Sequence, residues 1–306
     1  KAARVDDARG RYIEFLKGSL PKGLRLDGLK VVVDCANGAA YDVAPRLLRE
    51  LGCDVIAMFS EPDGYNINRE CGSTHPEHMM RRVVECGADV GLALDGDADR
   101  LIACDEQGRI IDGDRVIAIL AEHAHGHGQL TGAGVVTTLM SNMGLERYLG
   151  DMGLEMFRAA VGDRYVLEMM REKGCNIGGE QSGHMILLDH NTTGDGLMTA
   201  LQLLTAMTEQ QKPLSALAGG MLLFPQKLWN ITMSERRDVM ADAKIQALVA
   251  DAESRLGGDG RINVRMSGTE PKMRIMVEAA DELLMLDVGE TLTQAVSEQI
   301  ERIQIA

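Results

Sequence analysis

The sequence predicts an α/β fold: two mixed or parallel-sheet α/β/α domains followed by a small C-terminal α+β domain. Three observations carry this expectation. From residue 29 onward, short apolar runs alternate with amphipathic stretches of helical length. The runs are continuous rather than alternating, as in strands buried on both faces of a parallel sheet. Beyond residue 225 the order changes to strand, helix, two strands and helix, the pattern of a compact α+β unit.

Residues 5–20 read as a helix. Residues 30–33 then read as a strand, 44–51 as a helix, 55–59 as a strand, 78–86 as a helix and 90–94 as a strand. The rhythm resumes with a strand at 134–138, helices at 143–152 and 164–173, strands at 176–178 and 185–188, and a long helix at 196–210. Strands at 227–233, 261–266 and 274–279, with helices at 238–255 and 288–303, complete the chain. Glycine- and histidine-rich residues 126–134 and proline-bearing residues 219–225 are the expected linkers, which places domains at 1–128, 129–222 and 223–306.

Composition narrows the function classes. The 306 residues exceed one ordinary core. A net charge of −14, from 32 basic and 46 acidic residues, argues against a nucleic-acid partner, which needs a basic surface. No apolar run has the length of a membrane span. Six scattered cysteines with no C-x-x-C pair predict a reducing, cytoplasmic setting.

Three motifs carry chemistry. In Asp95-Gly96-Asp97-Ala98-Asp99-Arg100, three carboxylates at alternate positions follow an apolar run, and their mutual repulsion is relieved by a divalent ion that prefers oxygen ligands, Mg²⁺ or Ca²⁺. The same aspartates occupy positions 1, 3 and 5 of a calcium EF-hand loop, with Glu106 at position 12; Arg100 at the glycine position and strand-like flanks speak against that reading. An aspartyl-phosphate phosphatase, whose nucleophile would be Asp95, is a further alternative. In the segment from Arg265 to Arg274, two guanidinium groups bracket a hydroxyl-rich turn, Ser267-Gly268-Thr269, suited to an anion. Gly178-Gly179-Glu180-Gln181-Ser182-Gly183-His184 offers a carboxylate, a hydroxyl and an imidazole on a glycine-flanked loop, groups that polyhydroxylated ligands use. His123, His125 and His127 alternate where a helix ends before Gly126 and Gly128, and they read as a favourable helix C-terminus rather than a metal site.

Taken in order, VVVDCANG, DGDADR, GGEQSGH, TTGDG and RMSGTEPKMR resemble the α-D-phosphohexomutases over nearly the whole chain. The segments at 62–68 and 71–75, with VGDRYV at 161–166 and residues 139–146, are similar to the branch acting on glucosamine phosphates. The resemblance implies that Asp95, Asp97 and Asp99 hold Mg²⁺, with Arg100 close to the transferring phosphate. It implies that Glu180 and Ser182 grip sugar hydroxyls, and that Arg265, Ser267, Gly268, Thr269 and Arg274 hold the non-reacting phosphate. His184 would help in proton transfer. The parent enzyme would interconvert glucosamine 6-phosphate and glucosamine 1-phosphate through a phosphoserine and a sugar bisphosphate, supplying UDP-N-acetylglucosamine and bacterial cell-wall synthesis; a homo-oligomer is compatible with this. Relatives carry the phosphoserine on an additional N-terminal domain, and no such serine loop is found here. The chain therefore resembles the second to fourth domains of a four-domain enzyme. By itself it is expected to be inactive, with its aspartates weakly occupied. Ala98 departs from the glycine of many relatives and Gln181 from the asparagine of some, but both keep size and polarity. A non-catalytic phosphosugar-binding module is the remaining alternative.

Overall fold

A computed structural model describes residues 7–234, 239–267 and 270–305. The chain divides into two compact units, residues 1–141 with 145–221, and residues 142–144 with 222–306. The expected linker at 219–225 contains the division between Met221 and Leu222.

In the first unit, α1 (Ala8–Lys17) leads into β1 (Lys30–Asp34), α2 (Val43–Glu50), β2 (Asp54–Met58), α3 (Glu77–Cys86), β3 (Val90–Leu94), β4 (Leu101–Asp105), β5 (Ile110–Ile111) and α4 (Gly113–Gly126). The sheet order is β2-β1-β3-β4-β5. β1 is parallel to both β2 and β3, while β3–β4 and β4–β5 are antiparallel. β3 and β4 are buried at every position, as their unbroken apolar runs require.

A second sheet follows, from β6 (Gly134–Thr138), α5 (Met143–Asp151), β7 (Glu155–Ala159), α6 (Asp163–Lys173), β8 (Ile177–Gly179), β9 (Met185–Leu187), α7 (Gly196–Gln210) and α8 (Leu214–Ala218). Its order is β7-β6-β8-β9, with β6 parallel to both neighbours and β8–β9 antiparallel. β7 was not expected from the sequence. It is an edge strand whose Glu155-Met-Phe-Arg-Ala is mostly half-buried, so it lacks the apolar run that marks the inner strands. One core joins the two sheets and the helices between them, including Leu94, Leu101, Ile117, Val135, Leu145 and Leu201. Asp112 and Asp195 start α4 and α7 by accepting from the backbone N–H groups of Arg115 and Met198.

The second unit holds β10 (Gln226–Thr232), α9 (Ala243–Leu256), a 3₁₀ turn (Gly257–Asp259), β11 (Gly260–Met266), β12 (Lys272–Ala279) and α10 (Glu282–Ile305). The antiparallel sheet β10-β12-β11 packs Ile231, Ile275 and Val277 with Ile245, Val288 and Val296 of the two helices. The helix expected at 238–255 begins at Ala243, capped by Asp242; residue 238 lies outside the described residues.

Candidate functional site

The three aspartates lie on the loop joining β3 to β4, where the ladder pairs Leu94 with Leu101. Two antiparallel strands flank it, so the EF-hand alternative, which needs helices, is excluded. A carboxylate oxygen from each of Asp95, Asp97 and Asp99 lies within 4.8 Å of the others. Burial, and to a lesser degree the neighbouring Asp99 and Asp97 carboxylates, push the Asp95 carboxyl up to about 6, against the Arg100 backbone N–H, which holds it down. Arg100 Nε stands 3.6 Å from both Asp95 Oδ2 and Asp99 Oδ1. Asp99 Oδ1 is buried with no hydrogen-bond partner among the described residues. Three crowded carboxylates, one presenting an unsatisfied buried oxygen, fit a hard divalent cation.

The loop is seated from two sides. The turn after β1 brings Ala39 N–H onto Gly96 O at 2.8 Å, and Gly38 lies so close that a Cβ there would come within 2.2 Å of the same oxygen. Asp34, at the end of β1, accepts from Ala36 N and Gly72 N, which ties the Cys71–Gly72 segment to that turn. Ser73 N in turn donates to Leu94 O. On the other side, Leu101 N donates to Gly183 O, Gly196 N donates to Ala98 O, and Arg100 forms an isolated antiparallel bridge with His184.

The hairpin between β8 and β9 carries the second motif, so the aspartate loop and the Glu180–His184 loop are adjacent. His184 is buried, with Nδ1 3.1 Å from Asp99 Oδ2 and Gly194 against its ring, where a Cβ would not fit. Glu180 is half-buried and accepts from Gly162 N at 3.0 Å; Ser182 is exposed at the tip of the turn. Tyr12 carries no sequence signal, and Asp195 lies in the TTGDG segment at 192–196, to which the sequence assigns no role. Tyr12 OH of α1 donates to the Asp195 carboxylate at 2.8–2.9 Å and so anchors the start of α7, just after the Gly194 that packs on His184. The two residues are 183 positions apart, and no local signal links them.

The third motif lies in the second unit. Arg265 of β11 is directly opposite Arg274 of β12. Ser267 is buried; its N–H donates to Lys272 O and its hydroxyl accepts from Glu270 N at 3.4 Å. Glu270 is held below its ordinary carboxyl range by Lys272, 2.8 Å away, with Arg274 contributing from 3.6 Å. Arg274 Nε is buried without a hydrogen-bond partner among the described residues. Gly268 and Thr269, also expected to bind phosphate, lie outside the described residues.

The fold has counterparts in known proteins. Residues 10–108 match "Phosphoglucomutase/phosphomannomutase, alpha/beta/alpha domain II", residues 112–222 match its domain III, and residues 228–293 match its C-terminal domain. The chain belongs to this phosphoglucomutase/phosphomannomutase family of α-D-phosphohexomutases. It is 53% identical over 304 residues to a phosphoglucosamine mutase of Paramagnetospirillum magneticum, covering 99% of this chain and 66% of that protein. It is 57% identical over 281 residues to one of Magnetococcus marinus, covering 92% and 58%. The chain thus spans about three-fifths to two-thirds of the length of these curated relatives. Among solved structures it is similar to a phosphoglucomutase/phosphomannomutase family protein of Burkholderia thailandensis, with a TM-score of 0.78 and 27% identity over 95% of this chain and 64% of that one. The fold also matches an N-acetylphosphoglucosamine mutase of Aspergillus fumigatus, determined with GlcNAc-6P and magnesium, at a TM-score of 0.74 and 21% identity, covering 94% and 70%.

Proposed function

We propose that this chain supplies the metal, sugar and phosphate-binding parts of a phosphoglucosamine mutase, which interconverts glucosamine 6-phosphate and glucosamine 1-phosphate by way of a phosphoserine and a sugar bisphosphate. The observation that carries this reading is the junction of two loops: Asp99 meets His184 Nδ1 at 3.1 Å, joining a cation-binding cluster to a loop rich in sugar-binding groups. The identity to phosphoglucosamine mutases supports the amino sugar as substrate.

Asp95, Asp97 and Asp99 would hold Mg²⁺, which when bound neutralises charge on a phosphoryl group in transfer. Arg100, half-exposed beside two of these carboxylates, offers a guanidinium to the same anionic oxygens. His184 orients Asp99 from its buried position; a proton-carrying role for it predicts a pH–rate profile that changes in His184→Gln. Glu180 and Ser182 accept and donate hydrogen bonds to sugar hydroxyls. Arg265, Ser267, Gly268, Thr269 and Arg274 take the phosphate that does not react. In the transfer itself, a P–O bond to serine breaks as one forms to a sugar oxygen, and the hydroxyl proton leaves to a base. Six unpaired cysteines accord with a cytoplasmic setting, where the product would serve UDP-N-acetylglucosamine and cell-wall precursor synthesis.

The test compares glucosamine, glucose and mannose phosphates as substrates of the protein at the full length of its relatives. Glucosamine phosphate should be preferred, and faster turnover of a neutral hexose phosphate would overturn the assignment. On the present chain, Arg274→Ala should weaken glucosamine 6-phosphate binding about tenfold or more in calorimetry. A base-labile phosphate on Asp95 would favour a phosphatase instead.

A further inference from the structure

Among the described residues, two groups of three metal-ligating side chains converge: the aspartates above, and His123, His127 and Glu209. The second group belongs to no part of the phosphosugar site. We propose that His123, His127 and Glu209 form a three-ligand site for a divalent transition metal of the zinc type, joining the last turns of α4 and α7.

The two histidines are four residues apart at the end of α4, a spacing that sets both rings on one helix face. Their ring centroids are 4.4 Å apart. Glu209, the penultimate residue of α7, points one carboxylate oxygen at both: Oε2 is 2.8 Å from His123 Nε2 and 3.8 Å from His127 Nε2. Zinc takes imidazole nitrogen and carboxylate oxygen at about 2.0–2.2 Å, which in a tetrahedron sets neighbouring donors about 3.4 Å apart. The two observed separations bracket that value, departing from it by about 0.6 and 0.4 Å.

The tautomer also suits a metal. His127 Nδ1 lies 2.7 Å from the carbonyl oxygen of His123, which can only accept, so Nδ1 carries a proton and, in the neutral ring, Nε2 presents a lone pair toward Glu209. A neutral imidazole lone pair facing a carboxylate is unfavourable unless a cation or a second proton lies between them. This backbone carbonyl is the outer partner that orients ligating histidines in metal sites. Both helices end here, and the negative ends of their dipoles favour positive charge. The three side chains line a cavity of about 650 Å³ shared with Gln129, Asp189 and His190. That space leaves room for water in the fourth coordination position, as in three-ligand zinc sites.

The competing explanation is an ion pair between protonated histidine and Glu209, and the two separate in a metal titration. Tag-free chain carrying Asp97→Ala, which removes competition from the aspartate loop, is titrated with Co²⁺ and followed by visible absorption, then with Zn²⁺ by calorimetry. One equivalent of Co²⁺ with the intense bands of four-coordination is expected. His127→Ala and Glu209→Gln in the same background should bind at least tenfold more weakly. Zn²⁺ at a hundred times the parent's Kd should raise the unfolding temperature of the parent by about 5 °C or more and that of the His127→Ala chain by about half as much or less, a readout that also shows the variant is folded. No saturable binding in the parent would leave an ion pair only and overturn the proposal. So would unchanged Co²⁺ affinity in His127→Ala.

Discussion

Gly38→Ala should displace the aspartate loop without touching a carboxylate. The backbone at Gly38 is not left-handed, so alanine brings no torsional strain there. Its added Cβ, however, would sit 2.2 Å from Gly96 O and 2.7 Å from the Gly96 carbonyl carbon. A relaxed carbon–oxygen contact is about 3.3 Å, so the loop must retreat by about 1 Å. That retreat breaks the 2.8 Å bond from Ala39 N to Gly96 O. Losing the bond costs about 1 kcal/mol and overpacking about 1–3 kcal/mol, together about 2–4 kcal/mol. For a unit of this size the unfolding temperature should fall by roughly 5–15 °C. Ligand distances tolerate only about 0.2 Å, so Mg²⁺ affinity should drop at least about tenfold. Scanning calorimetry and Mg²⁺ titration measure both. Gly10→Ala in α1, where a Cβ meets nothing within 4 Å, serves as the control and should be neutral or slightly stabilising. Wild-type stability and Mg²⁺ affinity in Gly38→Ala would refute the close packing of the two turns.

Asp97→Ala removes an exposed carboxylate, so stability should change by less than about 0.5 kcal/mol while Mg²⁺ binding weakens by about tenfold or more; an unchanged titration would show the aspartates are not the ligands. Tyr12→Phe deletes a hydrogen bond to the Asp195 carboxylate and should cost about 1.5–3 kcal/mol, read as a lower unfolding temperature. Acid should oppose Mg²⁺, because Asp95 must be ionised to bind it: affinity is steady near pH 8 and falls as pH drops below about 6. In the metal-free chain the sign reverses. The folded carboxyl titrates at about 6, above its unfolded value near 3.9, so this group adds stability as pH falls through 6, and denaturant melts at pH 7 and pH 5 test that contribution against an Asp95→Asn control.

Strands buried on both faces were legible because they must be apolar throughout: residues 90–94 were read as a strand and form β3. β7 was not, because an edge strand tolerates Glu155 and Arg158. The convergence of the three aspartate carboxylates was equally readable, since all three share one short loop. What pairs with what was not readable. Asp99 meets His184 only because β4 and the β8–β9 hairpin bring Arg100 and His184 together as a bridge. The histidines at the end of α4 show the cost of reading along the chain alone. Taken with their neighbours they were a helix C-terminus, and that description remains true of their position. Glu209, 86 residues away on another helix, adds a carboxylate oxygen 2.8 Å from His123 Nε2. A cluster whose members come from one segment announces itself in sequence, as the aspartate loop does, whereas one completed by a distant helix is visible only once the fold has set the two helix ends side by side.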